Sequence, residues 1–249
     1  MLNRYKTWIG LGLTLILLII FLVTVDVAKM FDALTKANYV FILPAIAMYL
    51  ISTLFRTIRW KTLLAHMKEI KVARLYPVVV VGYMANNILP MRLGEFVRSY
   101  YLSEREGVSV SAALATVFVE RVIDALTLLI FIIVIALIVP LGVGGIVEGL
   151  GERSGIAWPF IVLAATVPFV LSFSILMIIA RYPQATLMFT FKIFSILPKR
   201  FRAVINDLAK TFVIGLSALK SPQLVLKMFL VSIPIWLFES TLFYLIGIS

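Results

Sequence analysis

The chain contains no cysteine, so disulfides and thiolate metal sites are excluded. Its one histidine, His66, has no companion ligands nearby and reads as an ordinary loop residue, so no metal is expected. Charge is scarce as well: Asp, Glu, Lys and Arg make up 14% of the 249 residues, where a soluble domain carries about a quarter. Acidic residues are fewer still, 12 against 23 basic ones, for a net charge of +11. There is no Walker loop, dinucleotide fingerprint or nucleophile elbow. The expectation is a protein that is not an enzyme and needs no cofactor. No cleavable leader is expected either, because the first apolar run, Trp8 to Val25, is too long and lacks a small-x-small cleavage site. It reads as a retained span.

What the chain does have is apolar surface: 62% of residues are hydrophobic and the mean hydropathy is +1.08. Such a composition needs lipid as part of its solvent. The apolar residues fall in long runs and not in period-2 alternation, which selects helices over an outer-membrane barrel. The basic residues gather in short loops between those runs. That pattern orients a membrane protein and argues against a nucleic-acid partner.

About 20 apolar residues cross the hydrocarbon core, and five segments qualify: 7–25, 39–60, 111–139, 158–180 and 223–247. The expected fold is all-α, a single polytopic transmembrane bundle over residues 1–249, with about five full spans and at least one re-entrant helical hairpin. Placing the basic loops 61–75 and 181–222 in the cytoplasm puts the N-terminus there too. Residues 76–102 must then leave that side and return to it. Their apolar part, Tyr76 to Leu89, is about 14 residues, short for a span, and it stops at Asn86-Asn87-Ile88-Leu89-Pro90. A helical hairpin facing the bundle interior fits, since irregular backbone at membrane depth must be buried or line a wet cavity. Segment 182–222 is expected to lie in the cytoplasmic interface, or to form a second re-entrant hairpin.

Two clusters carry chemistry. The first is Asn86, Asn87, Arg92, Glu95 and Arg98, whose last three members share an arc of one helix face with Glu95 between the arginines. The second is Glu120, Arg121 and Asp124, about 14–20 Å into the membrane if the span starts near Ser111. One ionised side chain at the bilayer centre costs about 2.5–3.5 kcal/mol, so these groups require partners or water. The hairpin arginines are the expected partners. Together they suggest a lipid-headgroup or ion site, or ion pairs that hold the hairpin in place. Arg56 and Arg59 are expected to snorkel to lipid phosphates. Glu239 is a lone acid in a proline-containing helix, extending a polar path or packing helices.

These residues also carry a resemblance. Arg56-x-x-Arg59-Trp60 is followed by Asn87-x-x-Pro90-x-Arg92-x-Gly94-Glu95-x-x-Arg98 and by Glu120-Arg121-x-x-Asp124. The sequence resembles the lysylphosphatidylglycerol synthase transmembrane-region family of flippase-like proteins across most of its length. The resemblance implies a multi-pass protein of a prokaryotic cytoplasmic membrane that moves a lipid or lipid-linked headgroup. Its implied partners are membrane lipids, an anionic or aminoacylated phospholipid or a lipid-linked sugar, with a homo-oligomer or a lipid-modifying enzyme as protein partner. Family members usually run on past the equivalent of 223–247, so the chain is expected to be truncated. The alternatives are a proton-coupled small-solute transporter and a non-transporting accessory subunit of a lipid-modifying enzyme.

Overall fold

The computed structural model describes residues 26–89, 93–138, 158–196 and 198–249, with positions 12, 15, 19 and 22–24 of the first apolar run. The described residues are helical, with no strand among them. The helices are α1 (Val27–Lys36), α2 (Ile42–Leu64), α3 (Val72–Ile88), α4 (Gly94–Glu106) and α5 (Val110–Ile138). They continue with α6 (Trp158–Arg181), α7 (Pro183–Ile193), α8 (Lys199–Gly215) and α9 (Pro222–Gly247). Short 3-10 turns stand at Tyr39–Phe41, Phe194–Ile196 and Ser217–Lys220.

Two stretches, Tyr39–Leu64 and Pro222–Gly247, are each 26 residues long and apolar enough to cross a membrane. A third is added if Thr166–Arg181 and Pro183–Ile193, bent by 102°, count as one. The expected span 111–139 is the 29-residue α5, and 158–180 is α6. The expected span 7–25 and the loop 141–157 lie mostly or wholly outside the described residues.

The local sequence explains where the helices stop. Leu89, at the end of α3, takes an extended conformation (φ −92°, ψ 141°), as a residue before proline must to clear the ring. α4 begins with Glu95 in its first turn, where a carboxylate offsets the positive end of the helix dipole. It ends at Gly107, whose φ of 68° suits glycine and whose N–H bonds Ser103 O. α9 starts from Ser221, which accepts from Leu224 N, with Pro222 in the first turn.

α2 and α9 form the main helix pair, with α5 against both. α3 packs on α4 and α2, α4 on α5, and α8 on α5. The apolar core gathers at one end of this bundle, around Trp60, Leu63, Leu75, Leu102, Ile123, Leu216 and Leu219. Large apolar side chains such as Leu43, Leu163 and Phe243 are exposed on the outside. Buried positions meanwhile include Ser52, Arg56, Arg59, Arg98, Glu120 and Asp124. Such a distribution suits lipid outside and polar contacts between helices within.

Candidate functional site

α3 and α4 approach closely through two glycines. A Cβ on Gly94 would stand 2.1 Å from Gly82 O, and one on Gly82 would stand 2.8 Å from Arg98 Cβ. This contact lets α4 lean far enough inward for Arg98 to reach α5. Arg98 Nη2 lies 2.9 Å from Glu120 Oε2, and its guanidinium sits 3.6 Å from the centroid of the Trp60 ring. The Trp60 indole N–H is fixed in turn by donating to Thr116 Oγ1 at 2.9 Å.

α2 supplies the centre of the site. Arg59 donates to both Asp124 carboxylate oxygens, at 2.5 and 3.1 Å, and to Ser232 Oγ at 2.6 Å. Its Nε lies 3.7 Å from Glu120 Oε1. Such a fork on a carboxylate is the geometry a planar guanidinium favours. One turn earlier, Arg56 Nη1 is 3.7 Å from Asp124 Oδ2 while Nη2 donates to Glu239 on α9. Tyr83 and Trp236 flank Arg56, each ring centroid 5.5 Å away. Arg121 completes the set, 3.3 Å from Glu95 and 3.6 Å from Asp124.

The result is a chain of alternating charge: Glu95, Arg121, Asp124, Arg56 and Glu239 along one path, with Arg59, Glu120 and Arg98 branching from it. Four guanidiniums face four carboxylates. Burial is greatest in the middle, where the side chains of Arg59 and Glu120 are 1% exposed. It relaxes at the ends, with 28% for Glu95, 36% for Arg121 and 18% for Glu239. Glu120 is held by charge alone, since neither of its oxygens has a well-directed hydrogen bond among the described residues. Between α3, α4 and α5 a void of about 10 Å³ is bounded by Gly82, Tyr83, Asn86, Gly94, Glu95, Arg98 and Arg121. That is space for roughly one water. Asn86 Oδ1, Tyr83 Oη and Arg98 Nε are buried without hydrogen-bond partners among the described residues.

Of the residues singled out from sequence, Asn86, Glu95, Arg98, Glu120, Arg121 and Asp124 come together here. Asn87 is exposed and stands apart, and Arg92 lies outside the described residues. The pairing runs between helices: Arg98 of the hairpin meets the second cluster, as its arginines are expected to, while Glu95, which stands between two arginines in the sequence, turns to α5. Glu95 lies 3.3 Å from Arg121 and Arg98 lies 2.9 Å from Glu120, both partners standing on α5. Arg56 and Arg59 do not snorkel; they point inward, and Glu239 joins them. A sign of this is present in the sequence: Ser52, Arg56 and Arg59 fall at i, i+4 and i+7, one polar stripe on an otherwise apolar helix. Among the described residues no group of His, Cys, Asp and Glu has the makings of a metal site.

Long apolar helices enclosing a balanced charge network define a helical membrane protein. The chain belongs to the family described as the lysylphosphatidylglycerol synthase TM region, matched over residues 7–249. A UPF0104 membrane protein of Methanothermobacter thermautotrophicus is 35% identical over 96 residues, 37% of this chain and 28% of that protein. A UPF0104 membrane protein of Methanocaldococcus jannaschii is 28% identical over 131 residues, 51% of this chain and 38% of that protein. The glycosyltransferase AglD of Haloferax volcanii is 28% identical over 121 residues, covering 48% of this chain and 19% of AglD. The matched stretches thus span well under half the length of these curated relatives. No solved structure matches the chain.

Proposed function

We propose that this protein moves a lipid headgroup, or a lipid-linked headgroup, between leaflets along the buried charge network. One observation carries the reading: the network is closed in the middle and partly open at both ends, Glu95 and Arg121 on one side and Glu239 on the other. Ion pairs that only fasten helices have no need of open ends. A headgroup phosphate takes over Arg98 or Arg121 from a carboxylate, and a hydroxyl or amine pairs with the carboxylate released. Each exchange keeps the charge balanced, which matters where an unpaired ion costs about 2.5–3.5 kcal/mol or more. The acyl tails stay in lipid throughout.

This reading takes five spans, 7–25, 39–60, 111–139, 158–180 and 223–247, with α3–α4 entering the membrane and turning back. Support comes from the mouth of that hairpin, where Lys68 and Arg74 lie 3.0 and 3.8 Å from Glu106. The start of α3 and the end of α4 therefore sit at one level. The reading takes that mouth and the N-terminus as cytoplasmic in a prokaryote, in keeping with the basic loops, and the protein as a carrier that catalyses no reaction.

Reconstitution with a fluorescent headgroup-labelled phospholipid, bleached from outside by dithionite, tests the proposal. Arg98→Gln and Glu120→Gln each unbalance the buried network by one charge, which costs up to roughly 3–5 kcal/mol, so either loss is open to a folding explanation. The double variant Arg98→Gln/Glu120→Gln removes both charges and keeps the fold, yet is expected to abolish flipping. Wild-type flipping by a folded double variant would remove the idea. A second reading is favoured by the likeness to AglD, named as a glycosyltransferase: the bundle serves as membrane anchor for a lipid-glycosylating enzyme. No flipping even by the wild-type protein, with co-purification of a transferase, would support that reading.

A further inference from the structure

The element order repeats itself. α2 is followed by two short helices, α3 and α4, and by the long α5; α6 is followed by the short α7 and α8 and by the long α9. The sequence at the two breaks agrees as well. Ile88-Leu89-Pro90-x-Arg92 and Ile196-Leu197-Pro198-x-Arg200 stand 108 positions apart, and the same step carries Gly107 to Gly215 and Asp124 to Ser232. The packing follows suit: α2 lies against α9, and α6 lies against α5, its corresponding partner. α5 and α9 touch each other, as equivalent elements do beside a two-fold axis. Asp124 and Ser232, one from each half, meet at a single atom, Arg59 Nη1. The halves follow the same order and direction, the arrangement of parallel transporter repeats with an axis along the membrane normal.

The two hairpins differ in charge. Between 72 and 106 the bases are accompanied by Glu95, Glu104 and Glu106. Between 183 and 215 stand Lys192, Lys199, Arg200, Arg202 and Lys210 with Asp207 as the one acid, and four of the five bases crowd the break. Five bases against one acid are costly to carry into hydrocarbon. α7 also leaves α6 at 102°, across the line of that helix. The hairpin nonetheless shows apolar groups outward: Met188 and Phe189 on α7, and Phe201, Val204 and Leu208 at i, i+3 and i+7 on α8 are exposed. Exposed apolar stripes with basic surroundings make up helices that lie in a membrane interface.

We propose that α7–α8 is a duplicated counterpart of α3–α4 that lies on the leaflet instead of entering it, and that it holds anionic lipid headgroups there. The apolar side chains enter the acyl boundary, and the basic residues meet the phosphates. α8 is fastened to α5 by Ser111 Oγ donating to Leu208 O at 2.9 Å. Headgroups gathered by α7–α8 thus stand beside the helix that bears Glu120 and Asp124. The inference rests on the membrane reading of the long helices and not on transport.

The absence of cysteine permits a direct test. Single cysteines replacing Met188, Phe201, Val204 and Leu208 carry a bimane probe, in phosphatidylcholine vesicles with and without phosphatidylglycerol. Lipids brominated at graded depths are expected to place all four at one shallow depth. Depth increasing from 208 through 201 to the bilayer centre, or quenching by aqueous iodide alone, would overturn the proposal. In the second arm, Lys192→Gln, Lys199→Gln, Arg200→Gln and Lys210→Gln are combined and the boundary lipid is read with spin-labelled phospholipids. Preference for phosphatidylglycerol over phosphatidylcholine is expected to fall severalfold; an unchanged preference would overturn anionic-headgroup binding. Neither arm reads flipping, so failure here is distinct from failure of the transport reading.

Discussion

Gly94 stands where a missing side chain matters most. A Cβ there would meet Gly82 O at 2.1 Å and Asn86 N at 2.6 Å, backbone atoms that cannot rotate aside. Gly94→Ala is expected to push α3 and α4 apart, at an overpacking cost of about 1–3 kcal/mol, and to draw Arg98 away from Glu120. Gly107→Ala is the comparison, since nothing lies within 4 Å of its Cβ but its φ is 68°. That backbone costs an alanine roughly 1–2 kcal/mol and leaves the charge network alone. Thermal unfolding of both, with headgroup flipping as a second readout, separates the two roles. If Gly107→Ala lost flipping as fully as Gly94→Ala, close helix approach would not be what Gly94 provides. The residue types of the site were legible because charge inside an apolar run is costly. A hairpin arginine as the partner of Glu120 was legible for the same reason. The partner of Glu95 was not: Arg98 stands three residues away on its own helix, and the placement of α5 gives Glu95 to Arg121 instead.

At the scale of elements, the ends of α2 and α8 are joined through His66, whose Nε2 donates to Ile214 O at 2.9 Å. Burial pushes the His66 pKa below its ordinary value. The neutral ring is therefore favoured by the fold, and its contribution is complete above about pH 6.5, the unfolded value. As pH falls through the lower folded pKa, the unfolded chain takes up the proton first and stability drops. The thermal midpoint is expected to be level above about pH 6.5 and to decline below it, while His66→Asn loses that decline. Equal slopes in the two proteins would show that the ring is not responsible. His66 read as an ordinary loop residue because its partner, Ile214, is 148 positions away. The break after α3 was legible for the opposite reason: Pro90 dictates the conformation of its own neighbour, Leu89. The apolar run of α2 likewise announced its helix, which extends to Leu64 and not 60 because Lys61 and Thr62 tolerate a helix once the core holds Leu63 and Leu64.

For the whole molecule, sidedness follows from two contacts at opposite ends. Lys68 Nζ lies 3.0 Å from Glu106 Oε2, which levels the start of α3 with the end of α4. Asn38 N donates to Ser249 O at 2.6 Å, which levels the start of the Tyr39–Leu64 stretch with the end of α9. If α2 crosses the membrane, residues 69 and 104 share one face and residues 36 and 248 share the other. Single cysteines replacing Glu69, Glu104, Lys36 and Ile248 in the cysteine-free chain, treated with an impermeant maleimide in vesicles of each orientation, measure this. The first two are expected to react together from one side and the last two from the other. Reaction of 69 and 104 from opposite sides would make α3–α4 a crossing segment. The Gly82–Gly94 contact, which requires two helices lying side by side, would then have no place in the membrane-embedded protein, and Arg98 would have no route to Glu120.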